Sequence, residues 1–312
     1  MRRQLLAVLV ALAAVLAACG GSTSSNDPYA LVFNASKAGW DQVQVDFSLS
    51  AQSGSDSVNL QPGAVRLVVD SKAGKGLFHL SIPTSMLGSD ASSLGQLGIT
   101  GTTIDVDVLY DGQALYAKSP LAPALITLLY SGSGQAPAGD MTGWLKLATA
   151  ADLQSLAALG GSSVTPSASM GPIPSFADAT ALKSALSNLG ITLTFVAMEQ
   201  HNGVNAAHIS ATVDWAKLAA SDASASAAQV QQALTALQNT NSSIDLWVDA
   251  SSSKLIGIEV KGSSKSDATQ TFDANISFKT PDAGQSLDTP ASSVDVPIMQ
   301  LLGPLMPGMI GG

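Results

Sequence analysis

The chain has 312 residues, of which 14 are Lys or Arg and 23 are Asp or Glu, for a formal net charge of −9. An acidic chain without a basic run is a poor candidate for nucleic acid or for electrostatic attachment to anionic headgroups. One cysteine excludes a disulfide framework and thiolate metal sites, and 46% hydrophobic against 12% charged residues allows a large core under a surface of hydroxyls and amides.

The chain opens with Arg2 and Arg3, continues as an apolar run from Leu5 to Leu16, and reaches Cys19 through Ala17 and Ala18. A positive start, an apolar stretch and small residues are the layout of a secretory signal. The run is about a dozen residues, short of the roughly 20 that a spanning helix needs. The Leu16-Ala17-Ala18-Cys19 ending resembles the lipobox of bacterial lipoproteins. That resemblance implies cleavage before Cys19 and diacylation of its thiol. Residues 1–18 are therefore expected to be a signal peptide, and losing Arg2 and Arg3 takes the net charge to −11. Residues 19–27 are Gly- and Ser-rich, a flexible tether. Its eight residues after Cys19 span at most about 26 Å.

Residues 28–293 carry the patterns of a folded body. Asp27 and Pro28 are placed to start a helix running to Trp40. Period-two alternation follows: Val43, Val45, Phe47 and Leu49, then Val65–Val69, Phe78–Ile82, and Ile104, Val106, Val108 and Tyr110. Ala114–Lys118 is a further strand, after an Asp111-Gly112 turn. Helices are predicted over Thr149–Leu159, over Ser175–Leu189 with Gly190 as its stop, and within Asp214–Leu237. Residues 160–174 are rich in Gly, Ser, Thr and Pro and read as a linker or long loop. The remaining strands are Ile191–Phe195, Ala207–Val213, Ile244–Val248, Ile256–Val260 and Phe272–Phe278. One apolar and one polar face per strand points to an antiparallel sheet covered on one side. Residues 294–312 form an apolar, Met-containing tail broken by Pro and Gly, too short and interrupted to span a bilayer.

The order of these elements, with Ala30–Ala38 running into Val43–Ala51 and Ile244-Asp245-Leu246-Trp247-Val248-Asp249 followed by Lys254–Val260 and Leu287-Asp288-Thr289-Pro290, is similar to the LppX/LprG group of cell-envelope lipoproteins. That group has the LolA/LolB-type fold. The resemblance implies an α+β body over about residues 28–292. Its single sheet would be strongly bent, antiparallel and of about ten strands, an unclosed half-barrel with helices on the concave face. It further implies an apolar cavity for acyl chains of lipids or lipidated molecules. No ligand residue transfers by position. On the alternation alone, Phe47, Leu49, Val106, Val108, Leu193, Phe195, Leu246 and Ile258 are the candidates for an apolar lining.

Chemical motifs reduce to plainer readings. His79, His201 and His208 lack the short spacing of a zinc site. Ser251-Ser252-Ser253-Lys254 has the spacing of a Ser-x-x-Lys acyl-enzyme motif but sits in a turn without the partner motifs. Asp105, Asp107 and Asp111 fail the EF-hand pattern. The expectation is a non-enzymatic protein without cofactor or metal. It would be exported, anchored through Cys19 to the outer face of the cell membrane, and would bind a lipid or lipidated ligand for transport or presentation. The alternative is a structural or signalling lipoprotein whose polar face binds another envelope protein. Cys19→Ala is expected to abolish incorporation of labelled fatty acid and to move the protein out of the detergent phase. Unchanged partitioning would contradict the anchor.

Overall fold

The computed structural model describes residues 26–86, 95, 101–130, 139–159, 176–220 and 239–296. Cys19, the 160–174 segment and residues 297–312 lie outside them.

Helix α1 (Pro28–Ala38) begins where its residues dictate: the Asp27 carboxylate accepts from the Tyr29 N–H, Pro28 needs no donor, and Gly39 at φ 45° ends it. Strands β1 (Gln42–Ser53), β2 (Asp56–Asp70), β3 (Lys75–Pro83), β4 (Thr103–Tyr110) and β5 (Ala114–Lys118) follow as a meander. Helix α2 (Ala122–Tyr130), β6 (Leu145–Thr149) and α3 (Ala150–Leu159) come next. Thr149 and Asp152 cap α3 reciprocally, each backbone N–H donating to the other's side chain. Helix α4 (Ala179–Asn188) is capped by Asp178, four residues later than the pattern suggested. Then come β7 (Ile191–His201), β8 (Val204–Val213), α5 (Trp215–Ala220), β9 (Thr240–Asp249), β10 (Leu255–Ser264), β11 (Thr271–Lys279) and β12 (Val294–Asp295).

The twelve strands hydrogen-bond in the order β12-β6-β5-β4-β3-β2-β1-β11-β10-β9-β8-β7 and the ladder does not close. The α+β class and the unclosed sheet agree with the sequence reading. The sheet is mixed rather than purely antiparallel, because β12 joins β6 in parallel through Val294 and Asp295. Val296 follows them and is fully buried.

The chain divides into two compact units. The first holds Met1–Trp40, Phe47–Gln61 and Met170–Lys279, and the second holds Asp41–Asp46, Pro62–Ser169 and Thr280–Gly312. In the first, α1 and α4 lay Tyr29, Val32, Leu182 and Leu186 onto Leu193, Ile209, Leu246 and Ile258, forming a continuous core. The Tyr29 hydroxyl accepts from the Leu193 N–H at 3.1 Å, so the helix also satisfies a donor on the terminal strand β7.

The second unit contains a buried polar network that a half-covered sheet does not predict. Gln44 is fully buried and Asp46 is 7% exposed, both on the face of β1 expected to meet solvent. The Gln44 amide donates to Asp46 and Asp282 at 2.8 Å each, and its oxygen accepts from the Asp282 N–H at 3.0 Å. Asp46 accepts from Arg66 Nε at 2.6 Å. Arg66 in turn lies over Gly63 at φ +84°, where a Cβ would stand 2.6 Å from the guanidinium. Gln44→Leu keeps the volume but removes one hydrogen bond each from the Asp46 carboxylate, the Asp282 carboxylate and the Asp282 N–H. It should cost about 1–3 kcal/mol, read as a lower urea midpoint at unchanged slope.

Candidate apolar binding face

Strand register in the second unit assembles one uninterrupted apolar face. Opposed residues in an antiparallel ladder share a face. Leu67 opposes Phe78, which opposes Val108, which opposes Ala117, which opposes Leu145. The adjacent row is Val65, Leu80 and Val106, and Ile82 opposes Ile104 beyond it. No polar side chain interrupts these positions on β2, β3 and β4.

Coverage of the face is graded. Leu145 is buried, with Ala122 and Ile126 of α2 and Val296 packed around it. Val108, Val106, Leu80 and Val65 are half-buried. Phe78 and Leu67 are 37% and 41% exposed. Large contiguous apolar surface of this kind marks an interaction or ligand-binding site.

The opposite face of the same strands is chemically mixed. Leu77, Leu109 and Tyr116 join a small cluster with Trp144 and Leu287. Beside it, His79 Nδ1 and Asp107 Oδ1 stand 2.7 Å apart across β3 and β4. Asp111 caps the β4–β5 turn, accepting from the Gln113 and Ala114 N–H groups and from the Thr289 hydroxyl. Burial pushes its carboxyl up, and these donors together with Tyr116 outweigh it and hold it below the usual carboxylate value.

The candidate lining residues fall into three sets. Val106 and Val108 lie on the apolar face just described. Phe47, Leu49 and Phe195 are half-buried in the first unit. Leu193, Leu246 and Ile258 are 5%, 1% and 0% exposed and belong to the core on which α1 and α4 pack. Leu67 and Phe78, the most exposed members of the face, were not among the candidates, although the alternation in Val65–Val69 and Phe78–Ile82 carried the signal. The Ser251–Lys254 segment is a turn: Asp249 accepts from the Ser251 N–H and from the Ser251 and Ser252 hydroxyls, and Ser253 sits at φ 55°.

No family model matches the chain, and no curated protein matches it. Among solved structures it is similar to the lipoprotein LppX of Mycobacterium tuberculosis, at 10% identity and a TM-score of 0.32, over 84% of this chain and 96% of that one. It is also similar to MucB in complex with MucA(peri), at 12% identity and a TM-score of 0.27, over 87% of this chain and 62% of that one. A third likeness is a putative outer membrane lipoprotein-sorting protein domain from Vibrio parahaemolyticus, at 7% identity and a TM-score of 0.20, over 80% of this chain and 90% of that one. The first of these belongs to the group that the sequence resembles. Scores at this level leave the family of the chain unassigned. Among the described residues no helix is long and apolar enough to cross a membrane.

The two apolar environments predict opposite responses to charge. Leu67→Asp and Phe78→Asp stand at partly exposed positions and should leave the protein folded. Leu246→Asp puts a carboxylate into the packed core and should unfold the protein. Thermal melts of the three variants check this.

Proposed function

We propose that this chain is a lipid-anchored lipoprotein of the cell envelope, held to the outer face of the cell membrane through Cys19. On this reading it binds the acyl chains of lipids or lipidated molecules, for transport or presentation, and performs no chemistry on them. The observation that carries the reading is the apolar face of β2, β3 and β4, on which Leu67 and Phe78 remain open to solvent beside half-buried Val65, Leu80, Val106 and Val108. The N-terminal Leu16-Ala17-Ala18-Cys19 segment supports the anchor.

Energetics set what such a site has to offer. A ligand with two long acyl chains buries roughly 30 methylenes in a bilayer, at about 0.8 kcal/mol each. Non-covalent affinity saturates near 18–21 kcal/mol. A protein therefore cannot outbid the membrane by much, and reversible exchange requires a surface about as apolar as the bilayer interior. A sheet face made only of Val, Leu, Ile and Phe meets that requirement. Charged or hydrogen-bonding groups there would bind the chains less well than the membrane does.

Mass spectrometry of organic extracts from the detergent-purified full chain tests the reading. Wild type should carry acyl lipid. Leu67→Asp, Phe78→Asp and Val108→Trp should each retain several-fold less, with the fold kept as judged by circular dichroism. Lipid-free wild-type protein, or retention unchanged in all three variants, would overturn the assignment and favour the alternative of a lipoprotein that binds another envelope protein.

A further inference from the structure

The turn end of the β7–β8 hairpin does not lie flat in the sheet. Three ladder steps separate β7 from β10, about 14 Å at ordinary strand spacing. Yet a Cβ built on Gly257 of β10 would stand 2.6 Å from Nε2 of His201, near the end of β7. The hairpin end therefore bends over the end of β9 toward β10, while β8 stays bonded to β9 up to Asn205, whose oxygen accepts from the Ala250 N–H. A bulge between Phe195 and Ala197 supplies the extra twist that such a fold-over requires. Asn202 at φ 52° and Gly203 at φ 79° make the tight turn beyond it.

The folded-over end is held by one set of contacts around Trp247. His201 stacks on the indole at 4.1 Å between centroids and 11° between planes, and His208 stacks at 5.0 Å and 17°. The Trp247 Nε1–H donates to Glu199 at 2.8 Å. Glu199 also lies 3.3 Å from Nδ1 of His208, whose Nε2 is 3.0 Å from Asp245. Beneath this lid, Ala206, Trp247 and Ile256 are buried as a separate apolar cluster flanked by Trp40 and Val204. Its outer side carries exposed Val196 and Met198. A side chain at 257 would have to displace the His201 ring from its slot.

His201 is the weak point of the clasp. Its Nε2 is buried and has no hydrogen-bond partner. The charged groups around it come from every neighbouring strand. They are Glu199 on β7, His208 on β8, Asp245 on β9 acting through His208, and Glu259 on β10, which Lys261 pairs at 2.8 Å. Lys254 is engaged over the Trp40 ring at 4.3 Å. Desolvation dominates this set, and it holds the imidazole below its usual value despite the attraction of Glu199 and Glu259.

We propose that the end of the β7–β8 hairpin is an acid-sensitive flap, closed by neutral His201 in the slot above Gly257 and opened when that ring is protonated, uncovering Ala206, Trp247 and Ile256. The sign follows from linkage. A histidine with a depressed closed-state value takes up its proton more readily in the open state. Closure is thus complete above the ordinary histidine value. It weakens as pH falls below that value and stops weakening once the closed-state ring itself titrates.

Hydrogen exchange of the Glu199–Asn205 amides in the full chain, corrected for intrinsic pH dependence, tests the flap between pH 7.5 and 5. Protection should fall about tenfold for each pH unit separating the open and closed titrations of His201. The β9–β10 amides should keep theirs. His201→Phe retains the stacking ring without a proton site and should abolish the pH dependence, as should His201→Gln if the first variant does not fold. PH-independent protection in wild type would overturn the proposal. So would an equal fall in the variants, or an imidazole NMR titration of His201 at or above the ordinary value.

Discussion

Strand alternation gives every sheet residue one of two faces, and each unit of this protein is shaped by what is available to cover the apolar one. In the first unit α1 and α4 supply Tyr29, Val32, Leu182 and Leu186, and the face beneath them becomes a packed core. In the second, Ala122 and Ile126 of α2 settle around Leu145, and exposure then increases through Val108 to Phe78 and Leu67. The same residue types on the same kind of strand thus end as interior in one place and as accessible surface in another. The difference lies in the helices and not in the strands.

Legibility of the fold in the sequence follows from range. Local chemistry read well: Asp27 and Pro28 start α1, which Gly39 ends two residues short of the expected Trp40, and alternation marks β1, β4, β9, β10 and β11. Helix α2 was not recognised, because its sequence Ala-Pro-Ala-Leu-Ile-Thr-Leu-Leu-Tyr is apolar nearly throughout and shows no 3.6-residue stripe. Burial of Gln44 was invisible, since its partner Asp282 is 238 residues away. The lining candidates divided for the same reason. Alternation says which face Leu193 and Val108 take, but the element that covers each comes from a distant part of the chain.

Polar residues inside the structure hold particular segments in place. Gln44 and Asp46 tie the backbone at Asp282 to β1, and the Tyr29 hydroxyl occupies a donor on the terminal strand. Each is a directional contact where an apolar side chain would only fill space. The Trp247 clasp belongs to the same type, with Glu199 serving two partners at once. Removing one member of such a set takes a hydrogen bond from each of its neighbours, which is costlier than the loss of one bond.

Strand β1 passes from the second unit into the first after Asp46, and β2 passes back after Gln61. With the crossings after Trp40, Ser169 and Lys279, the backbone threads between the units five times. No single proteolytic cut can therefore release either unit as one continuous fragment. Pulled from its N-terminal end, the chain would transmit force into both units from the first strand onward, because β1 itself is shared between them.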